Sequence, residues 1–325
     1  MRISRPGTQS WRALSTRVAR RSRRRIHRMP DHMKEIMNEK TGRIVMLAVD
    51  HGYFQGPTTG LEEPGKTIEP LLPWCDAVSP TKGVYLRCMP AGTKTPVILR
   101  ASGGNAIVYS DPVELERELG IRAAGVADEA AREALRERIA DEIVNRELSN
   151  EAVTVSAAEA ARLGVAGVSV SVYVGARYQK ESILNLARMS DEGRREGLIV
   201  LGITAVGKEM TRDARYLGLA TRIAAEHGAD VVKTYYCEGF ERVVRGCFAP
   251  IVIAGGRKVP EREALAFCRR AIDEGAVGVD MGRNIFQSEH PVAMLRAVRA
   301  VVHDDLSPDA AYEMFTDLSA APLTD

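Results

Sequence analysis

Gly228-Ala229-Asp230-Val231-Val232-Lys233-Thr234-Tyr235-Tyr236 decides how this chain folds. The glycine stops a helical pattern over residues 211–227, in which Leu217, Ala220 and Ile223 share one face, and an apolar β-branched run starts at once. Helix, glycine stop and a short run without strict alternation form the repeat unit of a parallel sheet covered by helices on both faces. The unit recurs along the chain. Apolar runs occupy residues 45–50, 77–80, 97–101, 168–174, 198–205, 231–235, 250–255 and 277–281. Amphipathic stretches lie between them, such as residues 261–274, entered after Pro260 and closed by Gly275. The second run is weak, and residues 83–87 compete with it. Eight runs in this rhythm predict an α/β protein with a (β/α)8 TIM barrel; a doubly wound open sheet is the alternative.

The rhythm breaks once. Residues 108–146 separate the third run from a helix expected near Asn150, and they read as a helical insertion after the third strand. Within it, residues 127–148 are rich in Ala, Glu and Arg, with acids and bases spaced to pair along a helix. A solvated or subunit-bridging helix is one reading, and a lid over the catalytic face is the other. With the insertion counted in, residues 31–325 read as one barrel domain.

Charge divides the chain unevenly. The first 28 residues hold ten arginines and no acid, so the net +2 of the whole leaves the remainder with 35 basic residues against 43 acidic ones. Residues 1–30 read as a disordered Arg-rich leader, with translation from Met29 or Met33, a targeting peptide and a nucleic-acid arm as other readings. Nucleic acid is not the expected partner, since the rest of the chain is acidic. The composition, 45% hydrophobic and 27% charged, suits a globular protein with a large core. No apolar stretch reaches the ~18 residues of a membrane span. The five cysteines are odd in number, widely spaced and without a CxxC pair. This predicts reduced thiols in the cytoplasm and neither a metal site nor a bound cofactor.

Barrel enzymes place their chemistry at the carboxyl ends of the strands. There the first run closes on Asp50 and His51, two proton-transfer candidates, with Gly52 freeing the turn. A turn cap and a packed rim histidine are the plain alternative. Lys233 stands inside an apolar strand, where burial depresses an ammonium's pKa and frees a nucleophilic amine to attack a carbonyl. A structural pairing with a neighbouring carboxylate is the alternative. Gly255 and Gly256 end the seventh run, and Gly282 and Arg283 follow the eighth, the usual position of a barrel's phosphate cup. Tyr173 and Lys208 follow the fourth and fifth strands as pocket candidates. Cys237 would share a face with Lys233 and Tyr235 if the strand ran on, but no nearby histidine activates it.

The strings DHGYFQGPTTG (50–60), KTYY (233–236), IVIAGG (251–256) and GVDMGRNIFQ (278–287) resemble the DhnA-type class I aldolase family, and within it the LsrF branch of autoinducer-2 processing. The resemblance covers residues 41–312 apart from the insertion. It implies a TIM barrel with Lys233 as Schiff-base lysine, Asp50 as the first-strand aspartate beside His51, and Gly255, Gly256, Gly282 and Arg283 at the phosphate. It also implies self-association, up to a decamer of stacked rings. The reaction implied is transfer of acetyl from 3-hydroxy-5-phosphonooxypentane-2,4-dione to coenzyme A, a co-substrate, leaving dihydroxyacetone phosphate. Metal-independent cleavage of a phosphorylated ketone or ketose, as in fructose-bisphosphate aldolase or aminodideoxyheptulosonate synthase, is the alternative. Many aldolases of the family carry Tyr-Pro-Arg-Gly after the fifth strand. Here Thr204-Ala205-Val206-Gly207-Lys208 stands in its place, and the missing tyrosine favours the thiolase branch. A chain lacking residues 1–28 is expected to keep its full catalytic rate; loss of function in the purified truncation would revive the nucleic-acid reading.

Overall fold

The computed structural model describes residues 31–106, 120, 124–135, 148–205 and 212–320. The Arg-rich leader, most of the insertion and Lys208 lie outside the described residues. Eight parallel strands form one sheet: β1 (Ile44–Ala48), β2 (Ala77–Ser79), β3 (Ile98–Arg100), β4 (Gly167–Val172), β5 (Ile199–Thr204), β6 (Val231–Thr234), β7 (Ile251–Ala254) and β8 (Gly278–Met281). Their order is β2-β1-β8-β7-β6-β5-β4-β3, and a parallel bridge between Val78 and Val97 joins the two edges. The sheet therefore closes on itself as the expected barrel, which removes both edges and their unpaired backbone groups.

Strand alternation divides the apolar residues into two cores. Val45, Leu47, Leu99, Val168, Val200 and Ile253 belong to the outer core, with helix residues such as Leu217 of Ala214–Glu226 and Leu265 of Glu261–Asp273. Ile44, Met46, Ile98, Leu201, Val231 and Val252 form the inner one. Met33, Ile36 and Met37, on and after the short helix Asp31–Glu35, join this inner core and floor the barrel. Because the interior is filled from below, polar groups find room only at the carboxyl ends.

Two expectations shift by local capping. Residues 83–87 belong not to a strand but to the helix Lys82–Cys88, whose first turn is capped by Thr81 accepting from the Val84 N–H. The helix expected near Asn150 begins instead at Ala157, where Ser156 accepts from the Glu159 N–H. The β-branched residues ahead of it make the short strand Ala152–Val153, antiparallel to Ser102–Gly103, in register Ser102 with Val153 and Gly103 with Ala152. Inside the insertion, residues 129–135 are helical, as their composition predicts.

At the amino end of β8 the backbones come close. A Cβ on Gly278 would lie 1.9 Å from the carbonyl oxygen of Ile44, its register partner on β1. Gly278→Ala therefore forces these strands apart. It is expected to cost at least about 3 kcal/mol or to prevent folding, read by urea denaturation of wild type and variant.

Candidate active site

The inner faces of the strands change character as they rise. β3 turns from Ile98 to Arg100, β6 from Val231 to Lys233 and β8 from Gly278 to Asp280, while β4 presents Ser169, Ser171 and then Tyr173. One pocket opens over these ends, lined by Asp50, His51, Tyr53, Phe54, Arg100, Leu148, Ser171, Tyr173, Lys233, Tyr235, Gly255, Gly256, Asp280, Gly282 and Arg283, among others.

Lys233 is not in apolar surroundings, contrary to the sequence expectation. Its Nζ stands 2.9 Å from Asp280 Oδ2, with the lysine side chain 11% exposed and the aspartate side chain fully buried. The register explains the meeting. Lys233 pairs with Val252 and Val252 with Gly278, so Asp280 sits one pleat higher across β7, and small Ala254 leaves the space between them open. Burial pushes the Asp280 carboxyl above the ordinary range, against the pull of Lys233. Its Oδ1 is buried without a hydrogen-bond partner.

A second cluster builds the adjoining wall around Arg100. The guanidinium donates to both carboxylate oxygens of Glu151 at 3.0 Å, to Ser171 Oγ at 2.5 Å and to the Ser102 carbonyl at 2.7 Å. It lies 3.5 Å from Asp50 Oδ2 and also contacts the Tyr53 hydroxyl. Glu151 accepts as well from Tyr53 and Tyr173 hydroxyls at 2.8 Å each and from Ser102 Oγ at 2.6 Å. Burial, with smaller contributions from the charges around them, holds both tyrosine hydroxyls well above their ordinary pKa, so they stay protonated as donors. A buried arginine between two carboxylates satisfies what would otherwise be costly isolated charges.

At the opposite side, the Asn284 amide donates to the Gly255 carbonyl at 2.7 Å while its oxygen accepts from the Val259 N–H at 2.9 Å. This clamp fixes the loop after β7 against the turn after β8. The Nε of Arg283 is buried without a hydrogen-bond partner. Burial pulls its guanidinium below the usual pKa. A Cβ on Gly282 would strike the Ala48 carbonyl at 2.4 Å and His51 Cε1 at 2.5 Å, so glycine there lets the imidazole in. His51 packs edge-on to Phe286, ring centroids 5.3 Å apart, with its Nδ1 buried and unpartnered. Burial lowers its pKa to about 4, outweighing the pull of Asp50.

Asp50, His51, Tyr173, Lys233, Gly255, Gly256, Gly282 and Arg283 thus meet in one pocket, and Lys208 falls outside the described residues. Cys237 does not line that pocket, and burial pushes its thiol up to about 11, so it holds no thiolate at neutral pH. All five cysteines are free. Among the described residues no cluster of His, Cys, Asp or Glu is placed to hold a metal, and no helix is long and apolar enough to cross a membrane. Sequence reasoning missed Arg100, Glu151 and Asp280. Arg100 and Asp280 carried the same signal as Lys233, a charge inside an apolar run; Glu151, at the exit of the insertion, carried none.

Fold and pocket together define a (β/α)8-barrel enzyme. The chain belongs to the DeoC/LacD family of aldolases, whose model matches residues 44–288. It is 49% identical over 288 residues to the 3-hydroxy-5-phosphonooxypentane-2,4-dione thiolase of Photorhabdus laumondii, covering 88% of this chain and 86% of that one. The thiolase of the same name from Escherichia coli K12 is 48% identical with the same coverage. An uncharacterized aldolase of Pasteurella multocida is 47% identical over 89% of this chain and 87% of its own. Among solved structures, an archaeal fructose 1,6-bisphosphate aldolase superposes with a TM-score of 0.65 at 22% identity, over 85% of this chain and 99% of that one, a likeness of fold.

The low pKa of His51 has a consequence for stability. The unfolded chain binds a proton at His51 below about 6.5, whereas the folded one resists until about 4. Stability must therefore fall as pH drops through this window. Replacing His51 by Asn is expected to make the loss between pH 7 and pH 4.5 smaller by roughly 2 kcal/mol, the residual solvent contact of the ring trimming the full shift. Denaturation curves of both proteins across that range check it.

Proposed function

We propose that this enzyme transfers the acetyl group of 3-hydroxy-5-phosphonooxypentane-2,4-dione to coenzyme A through a Schiff base on Lys233. The observation that carries the reading is that Lys233 lines one pocket together with Asp50, His51, Gly255, Gly256, Gly282 and Arg283. The names of the bacterial thiolases that share nearly half of its residues support the substrate.

The phosphate end of the substrate fits the glycine turns. Their backbone can approach an anion closely, and the buried Nε of Arg283 gains a partner there. This sets the ketone beside the phosphorylated carbon against Lys233 Nζ. The amine adds to that carbonyl and water leaves, giving a protonated imine that draws electrons. Asp50 takes the thiol proton of coenzyme A, and the thiolate attacks the acetyl carbonyl. When the tetrahedral adduct collapses, the bond between the acetyl carbon and the hydroxyl-bearing carbon breaks, and its electron pair passes into an enamine on Lys233. Asp50 then returns the proton to the hydroxyl-bearing carbon. Water hydrolyses the imine to dihydroxyacetone phosphate and free lysine. His51, neutral by burial, offers a lone pair rather than a proton. Tyr173 bounds the pocket as a hydroxyl donor, fixed by Glu151. Thr204, where many aldolases of the family continue into a catalytic tyrosine, instead donates to Thr234 Oγ1 at 2.8 Å and faces its neighbouring strand.

The enzyme is assigned to the cytoplasm as a homo-oligomer. Leu219 and Phe248, exposed by 53% and 59%, offer apolar surface to neighbouring copies.

Incubation of the purified protein with the phosphorylated dione is expected to yield acetyl-CoA and dihydroxyacetone phosphate only when coenzyme A is present. Borohydride should fix the adduct on Lys233 by peptide mass mapping. Lys233→Arg should abolish the adduct and lower turnover by more than about a thousandfold. Carbon–carbon cleavage indifferent to the thiol would instead identify a simple aldolase.

A further inference from the structure

The geometry points to Asp280 as a second catalytic residue, the acid and base that makes and unmakes the Schiff base on Lys233. This rests on the Schiff-base reading but assigns a task that Asp50 does not perform. Asp280 is the carboxylate in contact with the reacting nitrogen, at 2.9 Å, and its side chain is wholly buried. Asp50 instead leans towards Arg100 on the other wall, 3.5 Å from its guanidinium. The two carboxylates thus differ in what they touch, Asp280 the Lys233 nitrogen and Asp50 the Arg100 guanidinium.

The chemistry at Lys233 needs such a group twice. An ammonium cannot attack a carbonyl, so a proton must leave Nζ, and Asp280 Oδ2 is positioned to accept it. After the amine adds, a proton passes from the nitrogen to the carbonyl oxygen through the same carboxyl, giving a neutral carbinolamine. The carboxylic acid then protonates the carbinolamine hydroxyl, which leaves as water, and the carbon–nitrogen double bond forms. The result is a protonated imine facing the Asp280 carboxylate. Every proton is returned, and the pair begins and ends as cation and anion. Burial pushes the Asp280 carboxyl above the ordinary carboxylate range, against the pull of Lys233. The other charges that bear on Asp280 are Asp50, which adds to the upward push, and Arg100, which opposes it. Its unpartnered Oδ1 supplies a second oxygen for the leaving water.

Carbonyl exchange separates this step from the thiol chemistry. In water labelled with oxygen-18, dihydroxyacetone phosphate exchanges its carbonyl oxygen at an enzyme-dependent rate only through the imine. Wild type is expected to catalyse this exchange and to be trapped by borohydride. Asp280→Asn should lower both rates by at least about a hundredfold. Asp50→Asn should lose deuterium uptake at the hydroxyl-bearing carbon. Asp280→Ala leaves a space that formate can enter. Restoration of exchange by formate supports the catalytic role, and loss of exchange that formate does not restore in this folded variant overturns it. Undiminished exchange in Asp280→Asn overturns the assignment while leaving the Schiff base intact. Absence of both exchange and trapping in wild type removes the Schiff-base reading, and the role of Asp280 with it.

Discussion

Charges inside a closed barrel must neutralise one another, and the upper half of this molecule is arranged around that requirement. Eight strands and their helices exclude water from the axis, so an isolated ammonium or carboxylate there would cost several kcal/mol. The chain meets the cost by pairing across strands: Lys233 of β6 with Asp280 of β8, and Arg100 of β3 with both Asp50 and Glu151. The first pair fixes the relative height of two strands that do not touch, and the second ties β3 to the segments that follow β1 and precede the short strand Ala152–Val153. The positions of the Tyr53 and Tyr173 hydroxyls and of Ser102 and Ser171 follow from the Arg100–Glu151 pair.

The architecture was readable in the sequence because it rests on local signals. Gly228 and Gly275 stop helices, apolar runs follow, and eight repetitions leave little choice but closure. The second strand falls on the first of its two candidate runs, at Ala77–Ser79, and capping residues decide what propensity left open. Thr81 made residues 83–87 helical, and Ser156 set the start of a helix that composition had suggested seven residues earlier. The site was legible to the extent that its residues interrupt a pattern, as Lys233 does. Its surroundings were misjudged because the partner, Asp280, approaches through a two-step register across β7 that no single stretch of sequence reveals. Glu151 was invisible for a related reason: it belongs to no strand of the barrel, and its importance comes from four groups delivered by other segments.

Glycine contributes in two different ways. Gly278 permits two backbones to touch at the base of the barrel, a packing matter, whereas Gly282 clears the place that His51 occupies beside the pocket. Near the rim, Asn284 ties the two turns on either side of β8 into one unit. The two turns are thereby held together before any ligand arrives, which reduces the ordering cost of binding.

The ribbon of Ser102–Gly103 with Ala152–Val153 holds one wall of the pocket on few bonds. Arg100 and Glu151 lie 51 residues apart, inside the longer span that the pairing of β3 with β4 closes, since Arg100 is in register with Ser169. Once β3 and β4 have paired, little further loop entropy opposes that contact. Opening this short ribbon would release Glu151, and with it Tyr53, Tyr173 and Arg100, while leaving the barrel's hydrogen-bonded ladder untouched. The wall of the pocket and the ladder of the barrel thus rest on different hydrogen bonds, and a change confined to the ribbon bears on the first without touching the second.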